Sequence, residues 1–183
     1  PAGAAEQPAY PWRGRITCHP AAGQIGSPDG TAAAAAQLAA FVGTAAVGDF
    51  DADDEAVVYA GPAEWSFRRM ILHYARLAAI AGGVDTFLIG SELRGLSTVR
   101  SAPGTYPFVA ALTALAADVK AVLGSATAVS YGADWSEWFG HQPADGSGDV
   151  HFHLDPFWAS PDVDFVGIDA YRNDFNMYPS YYW

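Results

Sequence analysis

Three short apolar segments recur about forty residues apart, and this repetition restricts the fold more than any other feature of the sequence. They lie at residues 85–90, 126–131 and 163–168. Each is an apolar run bounded by glycine or turn residues, which is typical of a strand buried on both faces. A helix-forming segment fills at least the first interval. Such alternation predicts parallel strands joined by crossovers, and therefore an α/β fold.

The helices are marked by capping residues. Thr31 predicts the N-cap of a helix over residues 32–42, and Ser66 that of a helix ending near Ala81. A third helix is predicted over Pro107–Leu123, because proline suits the first turn. On the second helix, apolar residues at three- and four-residue spacing predict one face packed on the core. These residues are Phe67, Met70, Ile71, Tyr74, Leu77 and Ala78.

Two architectures fit this pattern, an open doubly wound sheet and a closed barrel. An open sheet normally carries a glycine-rich phosphate loop after a strand, whereas here Gly90 leads to Ser91 and the acid Glu92. We therefore predict a (β/α)8 TIM-barrel-like domain. A complete barrel takes about 250 residues, so a chain of 183 residues is expected to hold an incomplete barrel.

We expect one partial domain over residues 1–183. Residues 1–65 are rich in proline, glycine and alanine, which predicts a loop-rich segment with one helix. Residues 66–171 carry the strand–helix repeats, and residues 172–183 allow no interpretation.

The charge balance restricts the partners. With 20 acidic against 9 basic residues and a net charge of −11, the chain lacks the cations that nucleic acid or an anionic membrane would require. Neutral ligands such as sugars remain compatible. The one cysteine and the absence of a zinc-type Cys/His spacing predict neither a metal nor a cofactor. No run approaches the roughly 18 apolar residues of a membrane span.

A carboxylate follows each predicted strand. These are Glu92, Asp134 and Asp169, with Trp135 directly after the second and Tyr171 two residues after the third. In a barrel, reactive groups lie at the carboxyl ends of the strands. Carboxylates beside aromatic rings suit a pyranose, because acids hydrogen-bond hydroxyls or protonate a leaving oxygen while rings stack on the sugar.

The first and third of these strand ends resemble those of the large clan of retaining glycoside hydrolases built on this barrel. Residues 87–92 are similar to the clan's fourth strand and residues 163–171 to its sixth, so the chain holds about strands 4–6 with the preceding loop and helices. The resemblance implies that Glu92 is the general acid/base. Ser91 stands where the clan has an asparagine that helps to hold the sugar. The clan's nucleophile, a second glutamate ending the seventh strand, is expected beyond Trp183.

Several of these side chains have a second interpretation. Glu92 could form a salt bridge with Arg94, and Asp169 could hydrogen-bond backbone amides. Trp135 and Trp138, three residues apart, could bind the ligand or pack on the core.

The alternation His151-x-His153-x-Asp155 places three side chains on one face of an extended segment. We predict that His153 and Asp155 contribute to substrate binding. A metal site would need a fourth ligand and further groups that hydrogen-bond the ligands, which the sequence does not reveal.

Four separated segments carry a more specific pattern. They are Pro11-Trp12-Arg13-Gly14-Arg15-Ile16-Thr17-Cys18, Phe87-Leu88-Ile89-Gly90-Ser91-Glu92-Leu93-Arg94-Gly95, Ala133-Asp134-Trp135-Ser136-Glu137-Trp138 and Phe152-His153-Leu154-Asp155-Pro156. In this order they resemble the TIM-barrel-like domain of gene transfer agents, which lies in the large tail-hub, or host-specificity, protein of phage-like particles. The resemblance implies a domain that begins before Pro1 and continues past Trp183.

Two functions follow as expectations. The first is a glycoside-hydrolase-like domain that acts on cell-surface glycan, with Glu92 as acid/base. The second is a non-catalytic module that binds carbohydrate or packs in the tail. Either would be made in the bacterial cytoplasm and assembled into the tail, with glycan and other tail proteins as partners.

Overall fold

A computed structural model describes residues 12–170 and shows a mixed α/β fold. The helices are α1 (Ala32–Val42), α2 (Phe67–Ile80), α3 (Arg94–Ser97), α4 (Pro107–Leu123) and α5 (Asp155–Trp158). The strands are β1 (Phe50–Asp53), β2 (Ala56–Tyr59), β3 (Thr86–Ser91), β4 (Ala128–Asp134) and β5 (Gly167–Asp169). β3, β4 and β5 form a parallel sheet in that order, and β1 and β2 form a separate antiparallel hairpin.

The three predicted helices are confirmed together with their first turns. The Thr31 hydroxyl accepts a hydrogen bond from Ala33 N at 3.2 Å before α1, and the Ser66 hydroxyl accepts one from Arg69 N at 3.2 Å before α2. Pro107 opens α4, where its missing N–H would have no partner within the helix. These caps satisfy backbone groups that a helix end leaves unpaired.

The third predicted strand is only partly regular. β5 begins at Gly167, and the segment before it is held to β4 through Asp164. Asp164 N donates to Val129 O at 2.9 Å, while its carboxylate accepts from Val129 N at 2.6 Å and lies 2.6 Å from Lys120 Nζ. A side chain therefore replaces part of the strand ladder, which an apolar pattern does not reveal.

Within residues 12–170 the parallel sheet does not close. β4 is the central strand of this sheet, whereas β3 and β5 are its two edge strands. Apolar side chains remain exposed on both edge strands, including Leu88 (46%) and Ile168 (38%). The α/β class is therefore shown, and the incomplete barrel stays a prediction.

The apolar face of α2 is divided, in contrast to the single core face predicted. Phe67 is buried, with its ring centroid 5.6 Å from that of Phe108 on α4. Met70, Tyr74 and Leu77 are instead 48%, 55% and 40% exposed. Spacing identifies an apolar stripe but does not show how much of it a neighbouring element covers.

The prediction that residues 1–65 contain one helix and otherwise loops is incomplete, because it missed the β1–β2 hairpin. Phe50 pairs with Tyr59, their ring centroids are 4.8 Å apart, and Phe50 is buried. Asp51 and Asp53 are exposed. Two of the four residues of β1 are acidic and further acids follow in the turn, so the sequence pattern is that of a solvated loop.

One segment meets the length and composition of a membrane span, contrary to the expectation that none approaches it. It is Ala32–Asp49, 18 residues with a mean hydropathy of 1.3. Within it α1 has 11 residues, and at 1.5 Å per residue such a helix covers only about half of a hydrocarbon core roughly 30 Å thick. Leu38 and Val42 are buried in the protein core. The segment is weak evidence for a span.

Candidate functional site

Three carboxylates, Glu92, Asp134 and Asp169, lie at the carboxyl ends of the parallel strands, and this side of the sheet is named the carboxylate edge. Glu92 directly follows β3, Asp134 ends β4 and Asp169 ends β5. Asp134 and Asp169 are paired in register, and Glu92 N donates to Gly132 O at 2.8 Å. Because the strands are parallel, their carboxyl ends meet at one edge, as the sequence predicts.

The charges of these carboxylates interact. Partial burial raises the pKa of Asp169 above its ordinary value, and the negative charge of Glu92 raises it further. Arg13 opposes these effects, while Asp134 adds a smaller increase in the same direction. The negative charges of Glu92 and Asp134 thus favour the neutral form of Asp169 relative to an isolated aspartate.

Glu92 has a strained backbone and is held by residues from the start of the described chain. Its φ is +53°, which is uncommon for a residue other than glycine, and it is 3% exposed. Trp12 Nε1 donates to Glu92 Oε2 at 2.7 Å, and Arg13 Nε lies 3.7 Å from the same oxygen. Strained backbone of this kind is concentrated at functional positions.

Two glycines, whose role is not evident from the sequence pattern, allow Trp12 and Arg13 to reach Glu92. A Cβ atom on Gly95 would lie 2.5 Å from the Ile16 carbonyl oxygen. A Cβ atom on Gly14 would lie 2.4 Å from the Trp12 ring. The sequence signal was present, because each glycine stands in one of the four quoted segments, but spacing alone does not show that the two segments touch.

Gly95→Ala is expected to destabilise the protein by about 1–3 kcal/mol, because the new methyl group meets backbone atoms that cannot turn away. Urea denaturation measures the change in unfolding free energy. Gly48→Ala is the matched control, since nothing lies within 4 Å of its added Cβ. Equal stability of the two variants would contradict the close approach.

A fully buried acid, Glu137, supports this edge and was not among the predicted site residues. It accepts hydrogen bonds from the Ser97 hydroxyl at 2.6 Å, the Tyr131 hydroxyl at 3.0 Å and Asp134 N at 3.0 Å. Burial raises the pKa of Glu137, against the effect of these hydrogen bonds. Burial also raises the pKa of Tyr131, which keeps its hydroxyl a donor. Tyr131 in turn accepts from Leu93 N at 2.6 Å.

Exposed aromatic rings follow the Asp134 strand end. Trp135 is 47% exposed, Trp138 48% and Phe139 52%. Trp138 and Phe139 meet edge to face with centroids 6.2 Å apart. This exposure argues against core packing of Trp135 and Trp138, and their contact with a ligand stays a prediction.

A family comparison assigns this architecture. Residues 65–175 match the family model of the GTA TIM-barrel-like domain, where GTA denotes gene transfer agent. The match covers more than half of the chain, including the parallel sheet and its three carboxylates. The chain belongs to this family. Among curated proteins no match is found.

In this GTA TIM-barrel-like domain the predicted face of His151, His153 and Asp155 does not form. His151 pairs with His141 through backbone hydrogen bonds, His153 is 4% exposed, and the exposed Asp155 begins α5. The segment bends instead of remaining extended, so we assign His153 a structural role. No group of three metal-binding side chains occurs within residues 12–170. Tyr171 lies outside the described residues.

Because of the buried His153, we expect the stability of the GTA TIM-barrel-like domain to fall in acid. Burial, with a smaller effect of His141, lowers the pKa of His153 from 6.5 to about 4. The unfolded chain therefore takes up this proton first as the pH falls. The resulting stability is present above about pH 6.5 and is lost as the pH falls towards 4, by about 3 kcal/mol in all.

The measurement is the unfolding free energy at several pH values between 4 and 7. His153→Phe, which keeps an aromatic ring next to Tyr106, should show a flatter profile than the wild type. His73→Phe, at an exposed position of α2, should keep the wild-type slope. Parallel profiles for wild type and His153→Phe would contradict the assignment.

Proposed function

We propose that this domain binds cell-surface glycan, and hydrolyses it, as a glycoside-hydrolase-like part of the tail hub of a phage-like particle. The observation that carries the proposal is the carboxylate edge, where Glu92, Asp134 and Asp169 end three adjacent parallel strands beside exposed tryptophans. Membership in the gene transfer agent family supports association with a phage-like particle. The tail location, glycan and other tail proteins as partners, and assembly from the cytoplasm are parts of the proposal.

Each residue has a role in this scheme. Glu92 protonates the glycosidic oxygen and, after a nucleophilic carboxylate has attacked the anomeric carbon, takes a proton from the incoming water. Asp134 and Asp169 hydrogen-bond sugar hydroxyls. Trp135 and Trp138 stack on the apolar face of the ring. In the retaining clan that this edge resembles, the nucleophile is a glutamate of the seventh strand, and no such strand occurs within residues 12–170.

One observation favours the second candidate, a binding module without turnover. Trp12 Nε1 and Arg13 Nε both approach Glu92 Oε2, and a hydrogen-bond donor with a cation suits an ionised carboxylate. An ionised carboxylate accepts hydrogen bonds from sugar hydroxyls, whereas a general acid must carry a proton when the substrate arrives.

The test measures glycan binding by calorimetry and released reducing ends in parallel. We expect saturable binding of cell-surface polysaccharide, weakened about tenfold by Trp135→Ala and by Trp138→Ala, which matches the loss of about 1.4 kcal/mol per aromatic contact. Trp65→Ala is the matched control, since Trp65 is 94% exposed and lies before α2. Binding without reducing ends would select the binding module. Absence of binding, or equal loss in all three variants, would refute both candidates.

A further inference from the structure

A cavity of about 560 Å³ lies next to the carboxylate edge but does not contain its acids. Its lining includes Trp12, Arg15, Arg94, Arg100 and His141. Trp12 also donates to Glu92, so one side chain borders both places. The cavity therefore adjoins the carboxylate edge at Trp12.

The cavity is cationic although the chain is acidic. Its charged lining residues are three arginines and the acids Asp29 and Asp145, in a protein of net charge −11. Both acids already pair with Arg100, at 2.8 and 2.6 Å. The hydrogen bond from the Ser147 hydroxyl, followed by that from Arg100, holds the pKa of Asp145 well below its usual range, which keeps the pair with Arg100 ionised. Burial lowers the pKa of His141, so its ring is neutral at pH 7.

Two arginines of the cavity are thus available to a ligand. Arg15 and Arg94 are exposed, and their guanidinium groups form no ion pair or hydrogen bond within residues 12–170. Gly95, next to Arg94, packs on the carbonyls of residues 14 and 16 on either side of Arg15. This contact brings the backbones of Arg15 and Arg94 close together, and both residues line the cavity. Guanidinium groups match planar or tetrahedral oxyanions with paired hydrogen bonds.

We infer that this cavity is a subsite for an anionic sugar, in which Arg15 and Arg94 bind the carboxylate or phosphate group of one residue of the glycan. The inference rests on the proposed function for the neighbouring carboxylate edge. It narrows the glycan to an acidic polysaccharide whose charged residue follows the sugar bound beside Glu92.

Calorimetry on the full chain tests the subsite with three oligosaccharides of equal length: neutral, uronic-acid-containing and phosphorylated. We expect at least one acidic ligand to bind more tightly than the neutral one, and the acidic arm that does so identifies the oxyanion. Arg15→Gln and Arg94→Gln should each weaken that ligand about ten- to hundredfold, as expected for a hydrogen bond to a charged group. Arg94→Lys should recover part of this loss, and higher salt should weaken the wild type.

Arg69→Gln is the control, since it removes the same charge from α2, where Arg69 lies over the rings of Tyr59 and Trp65. It should leave acidic-ligand affinity unchanged. Equal affinity for neutral and acidic ligands, or equal weakening by Arg69→Gln, would overturn the subsite while the proposed function stands. If no oligosaccharide binds, glucuronate and glucose 6-phosphate are tested against glucose. Binding of either that depends on Arg94 would support the anion site without the glycan function, and its absence would overturn both.

Discussion

Glu92→Gln is expected to lower kcat/KM for glycosides with poor leaving groups by about 10²–10⁴-fold, the usual contribution of general acid catalysis. Glutamine has nearly the same size and keeps an oxygen that can accept from Trp12 Nε1, which is 2.7 Å away in the wild type. The fold should therefore survive, while the proton donor is lost. Hydrolysis of nitrophenyl glycosides should change much less, because their leaving group hardly needs protonation.

The measurement compares kcat/KM on both substrate types for wild type and Glu92→Gln, with the domain in the protein that supplies the nucleophile. Glu55→Gln is the control, because Glu55 is exposed in the turn between β1 and β2 and should leave both rates unchanged. Equal loss on the two substrate types would argue against an acid role for Glu92. A complete lack of hydrolysis in the wild type, together with glycan binding, would leave the binding module.

The part of this site that local patterns describe could be predicted from the sequence. Thr31 and Ser66 identify helix starts, because a cap is a contact between near neighbours in the chain. The common edge of Glu92, Asp134 and Asp169 follows from parallel strands, since any residue at the end of such a strand lies at that edge.

The contacts that hold the site could not be predicted in the same way. Trp12 and Glu92 are 80 residues apart, and their hydrogen bond depends on two glycines that allow the backbones to touch. The spacing of apolar and polar residues within one segment carries no information about a contact between distant segments. The burial of His153 could not be predicted for the same reason, because the residues next to it, Tyr106 and His141, come from other parts of the chain.

Glu137 shows how a residue within a quoted segment can be overlooked. The exposed Trp135 and Trp138 stand on either side of Ser136 and Glu137, and this setting suggests a surface loop. The side chain nevertheless turns inward and joins α3 to β4 through Ser97 and Tyr131. Leu93 N donates to Tyr131, so the network also fixes the residue that follows Glu92. Glu137 therefore positions Glu92 through Tyr131.

Glu137→Leu is expected to lower the unfolding free energy by about 3–5 kcal/mol. The substitution leaves the Tyr131 hydroxyl and Asp134 N without their buried acceptor, and each unsatisfied group costs about 1–3 kcal/mol. The Ser97 hydroxyl loses its shorter hydrogen bond and keeps the Arg94 carbonyl as an acceptor at 3.3 Å. Domains of this size are stable by only about 5–15 kcal/mol, so this is a large fraction of the total. Urea denaturation measures the effect.

A graded series keeps this prediction testable if Glu137→Leu does not fold. Glu137→Gln retains one acceptor oxygen and should lose less stability than the leucine variant, while Ser97→Ala removes a single donor and should lose about 1 kcal/mol. Glu55→Leu makes the same exchange at an exposed position and should change the unfolding free energy by less than about 0.5 kcal/mol. Because Leu93 and Tyr131 link Glu137 to the strained backbone of Glu92, Glu137→Gln should also weaken glycan binding. A Glu137→Leu protein as stable as Glu55→Leu would show that this buried network does not support the carboxylate edge.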